Sequence, residues 1–198
     1  MQNLSFILVY IILFCSIDSS FITNYEKHFG SKTPYRTVEN NNETPIEFEG
    51  CQPKKIWYII RHGARSPTQD VLLNLKQNLP RITQIILHAN NHISTTYLEE
   101  LKKWKLVFGN DTVLTEEGGR ELFHLALRSQ ARFPTLFPKI YSKEHYYFKY
   151  TDAERTASSA QNFTFGLFGN GHRNVEFPTP SPNDSILRVS RKGEREEV

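Results

Sequence analysis

A short apolar, β-rich run at residues 56–60 (IWYII) ends directly in an arginine-rich segment at residues 61–67 (RHGARSP). An apolar run without polar alternation predicts a central strand covered on both faces, as in a parallel α/β sheet. The segment that follows then stands at the C-terminal end of that strand, where open α/β sheets bind ligands.

The surrounding pattern alternates helices with one further strand. Leu72, Leu75, Leu79, Ile82 and Ile86 form a helical stripe, which Pro80 is expected to break or kink. Residues 97–107 read as a second helix with Leu98, Leu101 and Trp104 facing inward. Residues 115–117 (TEE) open a third, with acidic side chains in its first turn and Leu122, Leu125 and Ala126 on its inner face. Residues 146–150 (YYFKY) are the second strand candidate, and residues 151–154 (TDAE) match a capping box that starts a helix running to Phe168. Beyond Gly169 the glycines, prolines and asparagines predict loop. Strand, helices, strand, helix is α/β order. Two strands make no stable parallel core, so others are expected from sequence outside this chain or not recognisable within it.

The chain has 198 residues, a hydrophobic fraction of 38% and a charged fraction of 23%, which is globular composition. A net charge of +3 gives no argument for nucleic acid. The ten apolar residues at 6–15 are too few to span a bilayer, which takes about 20. Followed by small polar residues, they predict a signal peptide over residues 1–20, the alternative being a signal anchor that stays attached. Residues 21–49 form a polar leader. Sequons at Asn42, Asn110, Asn162 and Asn183 are glycosylation candidates and agree with the secretory pathway, by way of the endoplasmic reticulum lumen. Removal of Cys15 with the signal would leave Cys51 unpaired.

The chemistry concentrates at Arg61, His62 and Arg65. Two neighbouring cations disfavour the protonated imidazole, so His62 is expected to be a neutral nucleophile. Guanidinium groups offer fork-shaped donors to phosphate oxygens. Gly63 permits close backbone approach. Arg155, in the first turn of the capped helix, adds a third guanidinium where free amides already attract anions. Together these groups suit attack on a phosphoryl group with the transferring charge held by arginine. Ser66 lacks the glycine elbow of a serine nucleophile, and the remaining histidines have no metal-ligand spacing.

The pattern R-H-G-x-R-x-P resembles the fingerprint of the acid-phosphatase and phytase branch of the histidine phosphatase superfamily. Within it the chain is most similar to the multiple inositol polyphosphate phosphatase family, on the residues 51–56 (CQPKKI), Leu114-Thr115-x-x-Gly118 and Thr151-Asp-x-x-Arg155-Thr-x-x-Ser159. The resemblance covers roughly residues 49–187. It implies a Rossmann-like α/β domain with a helical insert, His62 as the nucleophile that becomes phosphohistidine, and Arg61, Arg65 and Arg155 as phosphate ligands. It implies phosphomonoester substrates such as phytate or 2,3-bisphosphoglycerate, no metal or other cofactor, no nucleic-acid partner, and a membrane only where the signal segment is uncleaved.

The family's C-terminal part carries a second histidine in a His-Ala-Glu-like motif, whose acid protonates the leaving oxygen. This sequence contains neither His-Ala-Glu nor His-Asp. Residues 188–198 (RVSRKGEREEV) offer no core residue and read as a tail outside the family domain of residues 50–187. The chain is therefore expected to be truncated, with the partner of Cys51 in the missing part. The rival reading is a catalytically dead fragment that at most binds phosphate.

Overall fold

The computed structural model describes residues 27–29, 33, 35–89, 93–105 and 112–188. The expected signal peptide and the sequon at Asn110 lie outside them. The chain divides into two units, Met1–Pro45 and Ile46–Val198. In the first, a 3₁₀ turn at Tyr35–Thr37 is closed by Val38 N donating to Tyr35 O at 3.0 Å. After it, the side chains of Asn40 and Asn42 accept from the amides of Asn42 and Thr44. Such local side-chain bonds hold turns without a core.

The second unit contains four α-helices among the described residues: α1 (Gln69–His88), α2 (Thr95–Lys103), α3 (Glu116–Arg132) and α4 (Glu154–Phe168). A 3₁₀ helix, Gly169–Asn174, follows where the sequence predicts loop. The third helix begins as its sequence predicts. Thr115 is the N-cap, its hydroxyl accepting from Gly118 N at 3.1 Å, and Glu116 and Glu117 complement the positive end of the helix dipole. Leu122 and Ala126 are buried and Leu125 packs beside them. Gly166 brings α4 close to α3: a Cβ there would stand 2.7 Å from Ala126 Cβ, less than real Cβ atoms tolerate.

Leu122, Ala126, Phe137, Tyr146, Phe163 and Leu167 form the core. It is strongly aromatic. The Tyr146 ring stacks on Phe148 at 5.6 Å and meets Phe168 edge-on at 4.9 Å, geometries that suit the ring quadrupoles. Burial pushes the Tyr146 phenol up to about 12, while its hydroxyl donates to Pro138 O at 2.6 Å.

The expected strands do not form. The described residues contain two isolated antiparallel bridges, Phe48↔Cys51 and Arg65↔Leu114, and no ladder. Residues 56–60 are not buried on both faces. Ile56 packs on the core and Tyr58 turns its ring edge to Phe163, but Trp57 is 68% exposed and Ile59 is 59% exposed. One face meets the helices. Among the described residues no neighbouring strand takes up the backbone groups or covers the other face. Residues 146–150 repeat the pattern: Tyr146 and Phe148 point inward, and Tyr147 is exposed. The described part is thus mostly helical, and the α/β class rests on the family rather than on a visible sheet.

Three local expectations also change. Pro80 does not break α1, which runs through it as one helix. Proline lacks only one amide and sits here on an exposed side, so the helix gives up a single bond, to the carbonyl of Lys76. Trp104 caps the end of α2 and is exposed rather than inward. The capping box does not form at the start of α4. Ala153 is the N-cap, Thr151 bonds Thr156 instead, and the Glu154 carboxylate reaches out of the helix.

Candidate functional site

The segment from His62 to Pro67 is fastened to α3 and α4 almost entirely through its main chain. Gly63 N donates to Ser159 Oγ at 3.1 Å, and Ser159 is buried on α4. Ala64 N donates to Glu121 Oε2 on α3 at 2.8 Å. Ala64 O accepts both Thr115 N at 2.9 Å and Thr115 Oγ1 at 2.8 Å. Ser66 N donates to Val113 O and Pro67 O accepts from Thr112 N. Leu114 N in turn donates to Glu154 Oε2 at 3.1 Å, and Ser158 Oγ donates to Glu154 Oε1 at 2.6 Å. The first turns of α3 and α4 are therefore joined through the segment that carries the chemistry.

Two glycines make this approach feasible. A Cβ on Gly118 would stand 2.6 Å from Ala64 N, and one on Gly63 would stand 2.7 Å from Gly118 Cα. Both are buried. Any side chain at either position would collide with main chain, which cannot step aside as a flexible side chain does.

The His62 ring is half-buried, with Nδ1 2.8 Å from Gly63 O. A carbonyl oxygen only accepts, so Nδ1 carries the hydrogen. In the neutral ring the free lone pair then belongs to Nε2. Arg61 is exposed and Arg65 half-buried, its guanidinium donating to Ser66 O at 2.8 Å. Arg155 lies one helical turn before Ser159 and so on the same face of α4. Its Nε is buried with no hydrogen-bond partner. A buried donor without an acceptor costs about 1–3 kcal/mol. An anion brought to it would supply the missing acceptor. Among the described residues, none of the three guanidinium groups is in an ion pair with a carboxylate.

The structure thus brings Arg61, His62 and Arg65 onto one pinned segment, and the Gly63–Ser159 bond ties that segment to the helix face of Arg155. Beside it, an open groove of about 470 Å³ between α3 and α4 is lined by Arg120, Phe123, Glu154, Ser158, Asn162 and Phe165, among others. None of the four predicted residues lines it. Among the described residues no group of His, Cys, Asp and Glu could hold a metal ion.

Sequence reasoning did not single out Ser159, Glu154 or Glu121 as parts of the site. Ser159 and Glu154 sit in the same short motif as Arg155, so their spacing was a usable signal. Glu121 has none. Of the sequons, Asn42 and Asn183 are exposed. Asn162 is half-buried in α4, donating to Ser158 O at 2.8 Å and packing against Gly119.

Comparison with known proteins places residues 54–194 in a match to a family model described as the histidine phosphatase superfamily (branch 2). The match reaches past Leu187 into the charged tail. The chain is 28% identical to a multiple inositol polyphosphate phosphatase 1 of Drosophila melanogaster, over 81% of this chain and 37% of that protein. It is 29% identical to the human protein of that name, over 81% of this chain and 37% of the relative. A thiamine-repressible acid phosphatase of Schizosaccharomyces pombe is 28% identical over 80% of this chain and 35% of its own length. The chain spans little more than a third of these relatives. No solved structure matches it.

Proposed function

Because the chain belongs to branch 2 of the histidine phosphatase superfamily, we propose that it handles phosphomonoesters at His62 and hydrolyses them through a phosphohistidine. The observation that carries this reading is the bond from His62 Nδ1 to Gly63 O, which commits one nitrogen and leaves the Nε2 lone pair to attack. As Nε2 bonds to phosphorus, the ester P–O bond breaks. The leaving oxygen takes a proton from a general acid or from solvent as it departs. Water then cleaves the N–P bond and releases phosphate. Arg61, Arg65 and Arg155 hold the phosphoryl oxygens, and the unpartnered Arg155 Nε supports its share.

The substrate class we propose is inositol polyphosphate, phytate in particular, with 2,3-bisphosphoglycerate as a further candidate. The names of two relatives support the first. The apolar start of the sequence and the exposed sequons at Asn42 and Asn183 support passage through the secretory pathway. The second reading is a chain that binds phosphate without turnover, which the unpartnered Arg155 Nε supports equally.

Phosphate release from phytate by the purified 198-residue chain, with His62→Ala as control, separates the two. Release that disappears in the variant is the expected outcome. Equal release from both would remove His62 from the mechanism. No release from either, with phytate still bound, would establish the second reading.

A further inference from the structure

We propose that Glu121 is a positioning residue for His62, acting through the one peptide group that joins Gly63 to Ala64. The oxygen of that group, Gly63 O, meets His62 Nδ1 at 2.8 Å. Its nitrogen, Ala64 N, donates to Glu121 Oε2, also at 2.8 Å. The two bonds therefore engage opposite ends of a single planar, conjugated unit. A carboxylate drawing on the N–H end shifts electron density toward the oxygen and makes it a better acceptor, because hydrogen bonds in a chain polarise one another. The bond to Glu121 is charge-assisted and stronger than a neutral one.

The effect resembles that of a carboxylate bonded directly to Nδ1, with a peptide in between. The N–H end of the unit is held, the oxygen keeps its aim, and the ring is kept in the tautomer that bares Nε2. Other bonds to the segment do not do this. Ser159 takes Gly63 N and Thr115 takes Ala64 O, which belong to the peptides on either side. Glu121 is the charged partner of the unit that touches the histidine. It reaches the segment from α3 one turn beyond Gly118, whose backbone passes against Ala64. The close crossing thus sets the distance that the carboxylate has to bridge.

The consequence for turnover rests on His62 being the nucleophile; the tautomer does not. The test is nitrogen NMR of the full chain labelled at its 7 histidines, with the His62 signal identified by its loss in His62→Ala. Wild type should hold His62 mainly with hydrogen on Nδ1. Glu121→Ala should move the tautomer ratio toward Nε2–H by about threefold, because the Gly63–Ala64 peptide then loses its charge-assisted partner. Glu121→Gln keeps an acceptor without the charge, should fall between the two, and serves if the alanine variant does not fold. An unchanged ratio in folded Glu121→Gln and Glu121→Ala would overturn the proposal. With phytate as substrate, the alanine variant should lose kcat by roughly tenfold or more at nearly constant KM. A rise in KM at constant kcat would count against positioning. Absence of phosphate release from wild type would refute hydrolysis and leave the tautomer result to decide the role of Glu121.

Discussion

The pair α3 and α4 and the pair α1 and α2 are built from similar amphipathic sequence, yet they end up in different physical states. The first pair packs along its length, closes over Ala126 and Gly166, and buries Phe163 and Leu167. The second pair touches lightly, and several of its large apolar side chains stay in water: Val71, Leu73, Ile82, Ile85 and Tyr97 are all exposed. The difference follows from partners rather than from pattern. A stripe becomes a core only where a second surface meets it, and for α1 the described residues provide that mainly at Leu72. The candidate site hangs on the packed pair.

Substitution on the two sides tests this difference most severely. Phe163→Ala should cost about 3–5 kcal/mol by emptying the aromatic core. Leu73→Ala on α1 should change stability by no more than about 0.5 kcal/mol. Urea unfolding of both variants reads the contrast, and equal losses would break it. A smaller effect is expected at Pro80. Because α1 runs straight through it, Pro80→Ala restores a helical amide and should add about 1–3 kcal/mol, seen as a higher unfolding midpoint. A loss of stability there would mean that α1 needs the proline's shape.

The smallest effect is electrostatic. A hydrogen bond from Lys149, helped by the amide of Leu187, holds the Asp184 carboxyl down to about 2. A lowered carboxyl pKa stabilises the fold above its ordinary value of 3.8, and that part is lost as pH falls toward 2. The stability gap between wild type and Asp184→Asn should therefore be full at neutral pH and close across that window. A gap independent of pH would exclude the ion pair as its source.

Much of the site was legible in the sequence because its residues are neighbours in it. Arg61, His62 and Arg65 stand within five positions, and the spacing of Arg155 and Ser159 puts them on one helix face. The third helix, with Thr115 as cap and Leu122 and Ala126 inside, was equally readable, because caps and stripes are local. What was not legible depends on distant surfaces. Residues 56–60 look fully buried by composition, but burial on two faces requires two covers, and the described residues supply one. Glu121 looks like any surface acid until the fold sets Ala64 N against it. Glu154 fits a capping box, but the free Leu114 amide captures its carboxylate.

The crossing of Gly63 over Gly118 has a mechanical side as well. With no side chain between them, the two backbones share a joint without slack. A tilt or slide of α3 cannot be absorbed there by a change of rotamer, so it arrives at the histidine segment undiminished. Anything that grips the outer surface of α3 holds, in effect, the handle of the imidazole.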